Sequence, residues 1–223
     1  MLSREEIKAN FETVKERVAA ACARAGRNAA DVTLVAVTKT FGAEAATAAI
    51  AAGATDIGEN RVQEMRDKKP AVVGTARWHL IGHLQTNKAK DAVRLFDVIE
   101  TVDAVELAQK IASAATREGK RQQILIEVNI GREAQKAGAD PDAVPSLARE
   151  IAAIDGLSLR GLMAIPPHDT REETRPWFRE LRKLRDVTGL PELSMGMTED
   201  FEVAIEEGST IVRVGRAIFG ERG

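Results

Sequence analysis

Lys39 stands at the end of an apolar run, Val32-Thr33-Leu34-Val35-Ala36-Val37-Thr38-Lys39-Thr40, so its amine is delivered where a buried strand gives way to a loop. An amine in that position can condense with a carbonyl, which makes a lysine a covalent anchor or a nucleophile. Other polar residues recur just past apolar runs: Asn60, His83, Asn129, the Pro166-Pro167-His168 segment, Ser194 and Gly215. Two of them open glycine-bearing segments, Ser194-Met195-Gly196-Met197-Thr198 and Gly215-Arg216-Ala217-Ile218-Phe219-Gly220. There, close backbone approach and the free N–H groups of a short helical turn suit an anion. Singly, Lys39 reads equally well as a solvated lysine, and Gly215 as the glycine of a turn. Chemistry requires a fold that brings them together.

The elements that would do so alternate regularly. Ile7, Phe11, Val14, Val18 and Cys22 predict an amphipathic helix over the first 25 residues, opened by a Ser3/Glu6 capping box and closed at Gly26. After it, strands are expected at the Lys39 run and at 56–60, 77–82, 97–102, 123–130, 157–165, 192–196 and 211–215. Helices are expected between them at 43–52, 61–69, 86–94, 104–118, 141–154, 171–188 and 199–207. Eight strands alternating with helices predict an α/β fold of the (β/α)8 TIM-barrel type rather than an open doubly wound sheet. Too few residues follow the eighth strand for a full outer helix, and the N-terminal helix is expected to complete the ring. No linker or repeat divides residues 1–223, which read as a single domain.

Composition narrows the function classes. Lys plus Arg at 32 against Asp plus Glu at 34 gives a net charge of -2, so no bulk attraction for nucleic acid or an anionic membrane is expected. Cys22 is the only cysteine, which excludes an intrachain disulfide and a cysteine-based zinc cluster and agrees with a reducing compartment. It lies on the apolar helix face and reads as a small core residue. No apolar stretch approaches membrane-spanning length, and the charged N-terminus lacks the apolar segment of a signal peptide. A cytoplasmic protein is expected.

In a barrel the C-terminal ends of the strands converge on one mouth, with phosphate sites commonly built after the seventh and eighth strands. Lys39 would then face the segments that begin at Ser194 and Gly215. A lysine opposite a phosphate-accepting loop is what a pyridoxal phosphate site requires: the amine condenses with the aldehyde, while N–H groups and hydroxyls hold the phosphate. The segments Leu34-Val35-Ala36-Val37-Thr38-Lys39, Gly58-Glu59-Asn60, Trp78-His79-Leu80-Ile81-Gly82-His83-Leu84-Gln85-Thr86-Asn87-Lys88, Arg160-Gly161-Leu162-Met163-Ala164-Ile165, Ser194-Met195-Gly196-Met197 and Gly208-Ser209-Thr210-Ile211-Val212-Arg213-Val214-Gly215 go further. In them the chain resembles the pyridoxal phosphate homeostasis protein family, the single-domain relatives of the alanine racemase barrel. The resemblance implies that Lys39 holds pyridoxal 5′-phosphate (PLP) as a Schiff base, that Asn60 lines its ring and that Arg213 faces the pyridine nitrogen. It also implies that Ser194 and the Gly215 and Arg216 backbone bind the phosphate. Many members carry a small hydroxyl residue where this chain has Arg216, which leaves the phosphate one hydroxyl poorer or gives it a guanidinium instead. Without the resemblance, Arg213 reads as an inward-facing barrel residue paired with a glutamate.

The function so implied is cofactor homeostasis: PLP bound, buffered and delivered to PLP-requiring apoenzymes without turnover. The alternative is a PLP-dependent amino-acid racemase or lyase. Racemases of the related family pair the cofactor lysine with a tyrosine from a second domain, and this chain has no tyrosine and no second domain. His83 or His168 is placed to substitute as a base, whereas His79 falls inside the third strand and reads as packing. A third reading is a barrel enzyme that uses Lys39 as an aldolase-type Schiff base without a cofactor. Loss of the second domain, the main dimer interface of those racemases, favours a monomer. The basic loop from Gly131 to Gly138, with Arg132 and Lys136, reads as an ordinary loop or as a cover for the mouth with a second landing place for the cofactor.

Overall fold

The computed structural model describes residues 2–167 and 172–221, which leaves His168 of the expected mouth set outside the described residues. The apolar run before Lys39 forms β1 (Thr33–Val37), and β2 (Asp56–Glu59), β3 (Arg77–Leu80), β4 (Val98–Val102), β5 (Gln122–Glu127), β6 (Leu157–Met163), β7 (Glu192–Ser194) and β8 (Ile211–Val214) follow. All pair in parallel and in sequence order, and β8 returns to β1 to close a barrel. The expected (β/α)8 fold is therefore the observed one. All strands but β4 end one or more residues earlier than the sequence suggests.

Nine helices surround the barrel among the described residues: α1 (Arg4–Arg24), α2 (Ala43–Ala51), α3 (Val62–Lys68), α4 (Ala89–Leu95), α5 (Val105–Arg117), α6 (Val144–Ala152), α7 (Arg175–Thr188), α8 (Phe201–Glu206) and α9 (Arg216–Phe219). The helices expected to begin at 86 and 141 start instead with 3-10 turns, Thr86–Lys88 and Pro141–Ala143. The capping box at Ser3 and Glu6 opens α1 as expected. The short α9 leaves a gap in the ring, and α1 fills it by packing on α2, α8 and α9. Asn10 donates to the Ile218 carbonyl at 3.1 Å, Arg17 pairs with Glu202 at 2.8 Å, and Arg27 donates to the Ile205 carbonyl at 2.7 Å. Among the described residues no helix is long and apolar enough to cross a membrane.

Strand alternation sorts the side chains into two layers. Ala36, Ile99, Ile124, Ile126, Leu162, Val212 and Val214 face the helices, while Val35, Val37, Ile81, Val98, Leu125, Met163 and Ile211 form a separate cluster inside the barrel. The inward positions fix what the mouth contains. Two residues past Val37 is Lys39, two past Ile81 is His83, two past Val98 is Glu100, two past Leu125 is Glu127, and two past Ile211 is Arg213.

Candidate functional site

Lys39 is half-buried in the turn that leaves β1. The peptide before it is gripped from outside the barrel. Thr38 donates its N–H to Gly58 O at 3.0 Å, its carbonyl accepts from Lys68 Nζ at 2.8 Å, and its hydroxyl donates to Glu59, which is also ion-paired with Lys68. Burial pushes the Glu59 carboxyl up, and the Lys68 ammonium opposes it. On the other side of Lys39, Thr40 adopts a φ of 71°, a left-handed conformation that a β-branched residue rarely takes. The amine thus leaves from a backbone fixed on one side by a buried ion pair and strained on the other.

Asn60 follows β2, half-buried. The end of β3 comes so close that a Cβ on Gly82 would lie 2.3 Å from the Asn60 carbonyl oxygen, so only glycine permits this rim. His83, by contrast, is exposed. It lines a cavity of about 480 Å³ with Arg61, Gln63, Gln85 and Lys88, residues that follow β2 and β3.

Arg213 is buried and points into the barrel beneath the mouth. One guanidinium nitrogen donates to Ser194 Oγ, and the other donates to the Ala164 carbonyl at 3.0 Å. Ser194 Oγ donates in turn to Glu100 Oε2. Glu100 Oε1 is 2.6 Å from His79 Nδ1, and His79 Nε2 is 2.9 Å from Asp56 Oδ1, which also accepts from Arg77 Nε at 2.7 Å. The direct Arg213–Glu100 separation is 3.8 Å, so the glutamate reaches the arginine through the hydroxyl. Burial alone would push both acids up and the imidazole down; hydrogen bonds reverse all three. Asp56 is held down at about 2, Glu100 lies below the carboxylate range, and His79 lies above its ordinary value.

The phosphate-side expectations meet mixed geometry. Gly215 stands where β8 ends, and a Cβ there would lie 3.3 Å from Val37 O. The Arg216 and Ala217 N–H groups open α9 with no earlier turn to receive them. The Arg216 guanidinium turns outward to Glu199 at 2.6 Å, so the mouth receives its main chain and not its charge. The Ser194 hydroxyl, expected at the phosphate, has its proton on Glu100 and a lone pair on Arg213, within a residue that is fully buried.

Glu127 is a mouth residue that motif reading passed over. It lines a cavity of about 210 Å³ with Val128, Asn129, Lys136, Ala137 and Ile165. Its Oε2 is buried with no hydrogen-bond partner, and burial, with Asp103 adding to it against Arg213, pushes the carboxyl up to about 7. Asn129 is turned away from chemistry: its Nδ2 donates to Glu133 O at 2.8 Å and its Oδ1 accepts from Glu133 N at 3.0 Å, which braces the loop over this cavity. Lys136 in that loop pairs with Glu133 at 2.7 Å and donates to Pro166 O at 3.3 Å. The sequence signal for both Glu100 and Glu127 is that each is the one charged residue of its strand, at an inward position among apolar neighbours.

With this geometry in hand, the comparisons decide the family. The family model of the alanine racemase N-terminal domain matches residues 3–223. The pyridoxal phosphate homeostasis protein of Aquifex aeolicus is 42% identical over 217 residues, covering 94% of this chain and 95% of that protein. This chain belongs to the pyridoxal phosphate homeostasis protein family. Two solved structures agree with that membership. A protein of Bifidobacterium adolescentis described as unknown superposes with a TM-score of 0.91 at 41% identity, covering 98% of each chain. PipY of Synechococcus elongatus, solved with PLP bound, superposes with a TM-score of 0.80 at 35% identity, covering 93% of this chain and all of that one.

Proposed function

We propose that this chain is a monomeric cytoplasmic protein that binds PLP, holds it on Lys39 as a Schiff base, and buffers or delivers it to apoenzymes without turnover of its own. The observation that carries this reading is that Lys39, in the turn after β1, and Arg213, on β8, come from adjacent strands of the barrel. Val35 and Arg213 are register partners on adjacent strands β1 and β8, and Lys39 and Gly215 follow them at the mouth. The donor set fits the cofactor. The Lys39 amine suits its aldehyde, Asn60 lines the ring, the Gly215 and Arg216 main chain meets the phosphate, and Ser194 holds Arg213, which faces the ring nitrogen. Bound PLP supplies an electron-withdrawing ring, strongest when its nitrogen is protonated. Arg213 carries only N–H donors, so it selects the unprotonated nitrogen and weakens that withdrawal. The PLP-bound PipY structure supports the same ligand.

Purified protein given PLP should show a visible absorbance that borohydride fixes onto Lys39, and Lys39→Ala should lose that adduct. An adduct of equal yield on another lysine would overturn the assignment. One observation favours a second reading, a PLP-dependent amino-acid racemase or lyase: Glu127, at about 7, is in the range of a working general base. Exchange of an amino acid's α-proton, lost in both Lys39→Ala and Glu127→Gln, would establish it.

A further inference from the structure

We propose that Glu100 is a positioning residue for Arg213, acting through the Ser194 hydroxyl, and that a doubly protonated His79 locks Glu100 in place. The proposal rests on the reading above only for the identity of the ligand that Arg213 serves.

Hydrogen-bond direction carries the argument. Arginine has N–H donors and no acceptor, so at the Arg213–Ser194 contact the serine oxygen must accept. A hydroxyl owns one proton, and Ser194 gives it to Glu100 Oε2, which must therefore be an unprotonated acceptor. At the other end, Asp56 Oδ1 accepts from Arg77 while facing His79 Nε2. The hydrogen bonds and neighbouring positive charge hold both acids below the carboxylate range, so with a carboxylate against each ring nitrogen His79 donates from both, and it is an imidazolium. Charges then alternate along the whole chain: Arg77, Asp56, His79, Glu100 and Arg213. The groups facing His79 are Asp56 from β2 and Glu100 from β4, with Arg213 of β8 beyond the glutamate.

The serine is a spacer with a purpose. Glu100 and Arg213 are 3.8 Å apart, and an arginine free to close that gap would turn its fork onto the carboxylate. The hydroxyl keeps the two charges apart yet coupled. A second anchor at the Ala164 carbonyl, on the opposite nitrogen, then fixes the plane of the guanidinium. Its remaining N–H groups are left for the mouth.

The test begins with the ligand-free protein. Nitrogen-correlated NMR of wild type at pH 8 should show both His79 ring nitrogens protonated, with the signals assigned by their absence in His79→Gln, and slowly exchanging Arg213 side-chain N–H protons. In Glu100→Gln one ring nitrogen should lose its proton by pH 8, and Arg213 exchange should accelerate about tenfold, as expected for one lost charge-assisted hydrogen bond. Ser194→Ala, which changes little volume, should accelerate Arg213 exchange while leaving His79 doubly protonated. PLP titrations should then show about tenfold weaker binding and a shifted absorbance maximum in both variants. A neutral His79 in wild type, or unchanged Arg213 exchange in both variants, overturns the proposal. A wild type with the predicted NMR signature that fails to bind PLP sustains the positioning chain and overturns the ligand assignment instead.

Discussion

Glu100 and Glu127 stand on adjacent strands and face the same barrel interior, yet one is held below the carboxylate range and the other is pushed up to about 7. Burial acts on both in the same direction. The difference lies in the donors. Each oxygen of Glu100 meets one, from His79 and Ser194, and Arg213 stands behind them. Oε2 of Glu127 meets none, and Asp103 adds a like charge. A barrel interior therefore has no single dielectric character. One side is a saturated ionic chain with fixed proton positions, and the other holds a carboxyl whose proton is exchangeable near neutral pH.

Removing Glu100 should break this contrast most severely. Glu100→Ala leaves the His79 charge with one partner instead of two, and the expected cost is about 3–5 kcal/mol, read as a fall of roughly 10 °C in Tm at pH 7. A loss no larger than that of Glu127→Ala would show the two acids to be equivalent. The second effect has the opposite sign. Because folding raises the Glu127 value above that of the unfolded chain, the native state binds the extra proton between about 4.5 and 7. The associated stability is present at low pH and lost as pH rises through about 7. Glu127→Gln, which cannot ionise, should therefore stabilise the protein by on the order of 2 kcal/mol at pH 8 and by almost nothing at pH 4, measured by urea unfolding at both. The smallest effect belongs outside the barrel. Arg216→Ser removes an exposed pair with Glu199 and should change stability by less than about 0.5 kcal/mol. PLP affinity should hold within about twofold, because the Arg216 main chain stays in place; a greater loss would place its guanidinium at the ligand after all.

Much of the scaffold was legible in the chain. The run ending at Lys39 specified both a buried strand and the side of the barrel to which its lysine is delivered, and the stripe from Ile7 to Cys22 specified the helix that completes the ring. Those signals are local and periodic. The Asp56–His79–Glu100–Ser194–Arg213 chain draws on five strands that meet only once the barrel has closed, so spacing in sequence carries no trace of it. Arg213 as a residue paired with glutamate was readable; that a serine would stand between them was not. The outward turn of the Arg216 guanidinium depends on Glu199, and the brace that Asn129 gives the 131–138 loop depends on that loop's own conformation, neither of which leaves a pattern in the sequence.

The helix that fills the gap in the ring also sets an order of events. Asn10 meets Ile218 across 208 residues of chain, and Arg17 meets Glu202 across 185. During synthesis on the ribosome, α1 emerges before the barrel and has only α2 among its three eventual neighbours until the last elements are made. Its stripe of Phe11, Val14 and Val18 must wait, exposed or in the care of a chaperone, until α8 and α9 have been made. Closing such long-range contacts carries a large loop-closure cost, and on this order of synthesis the helix made before the barrel is the one whose burial is completed last.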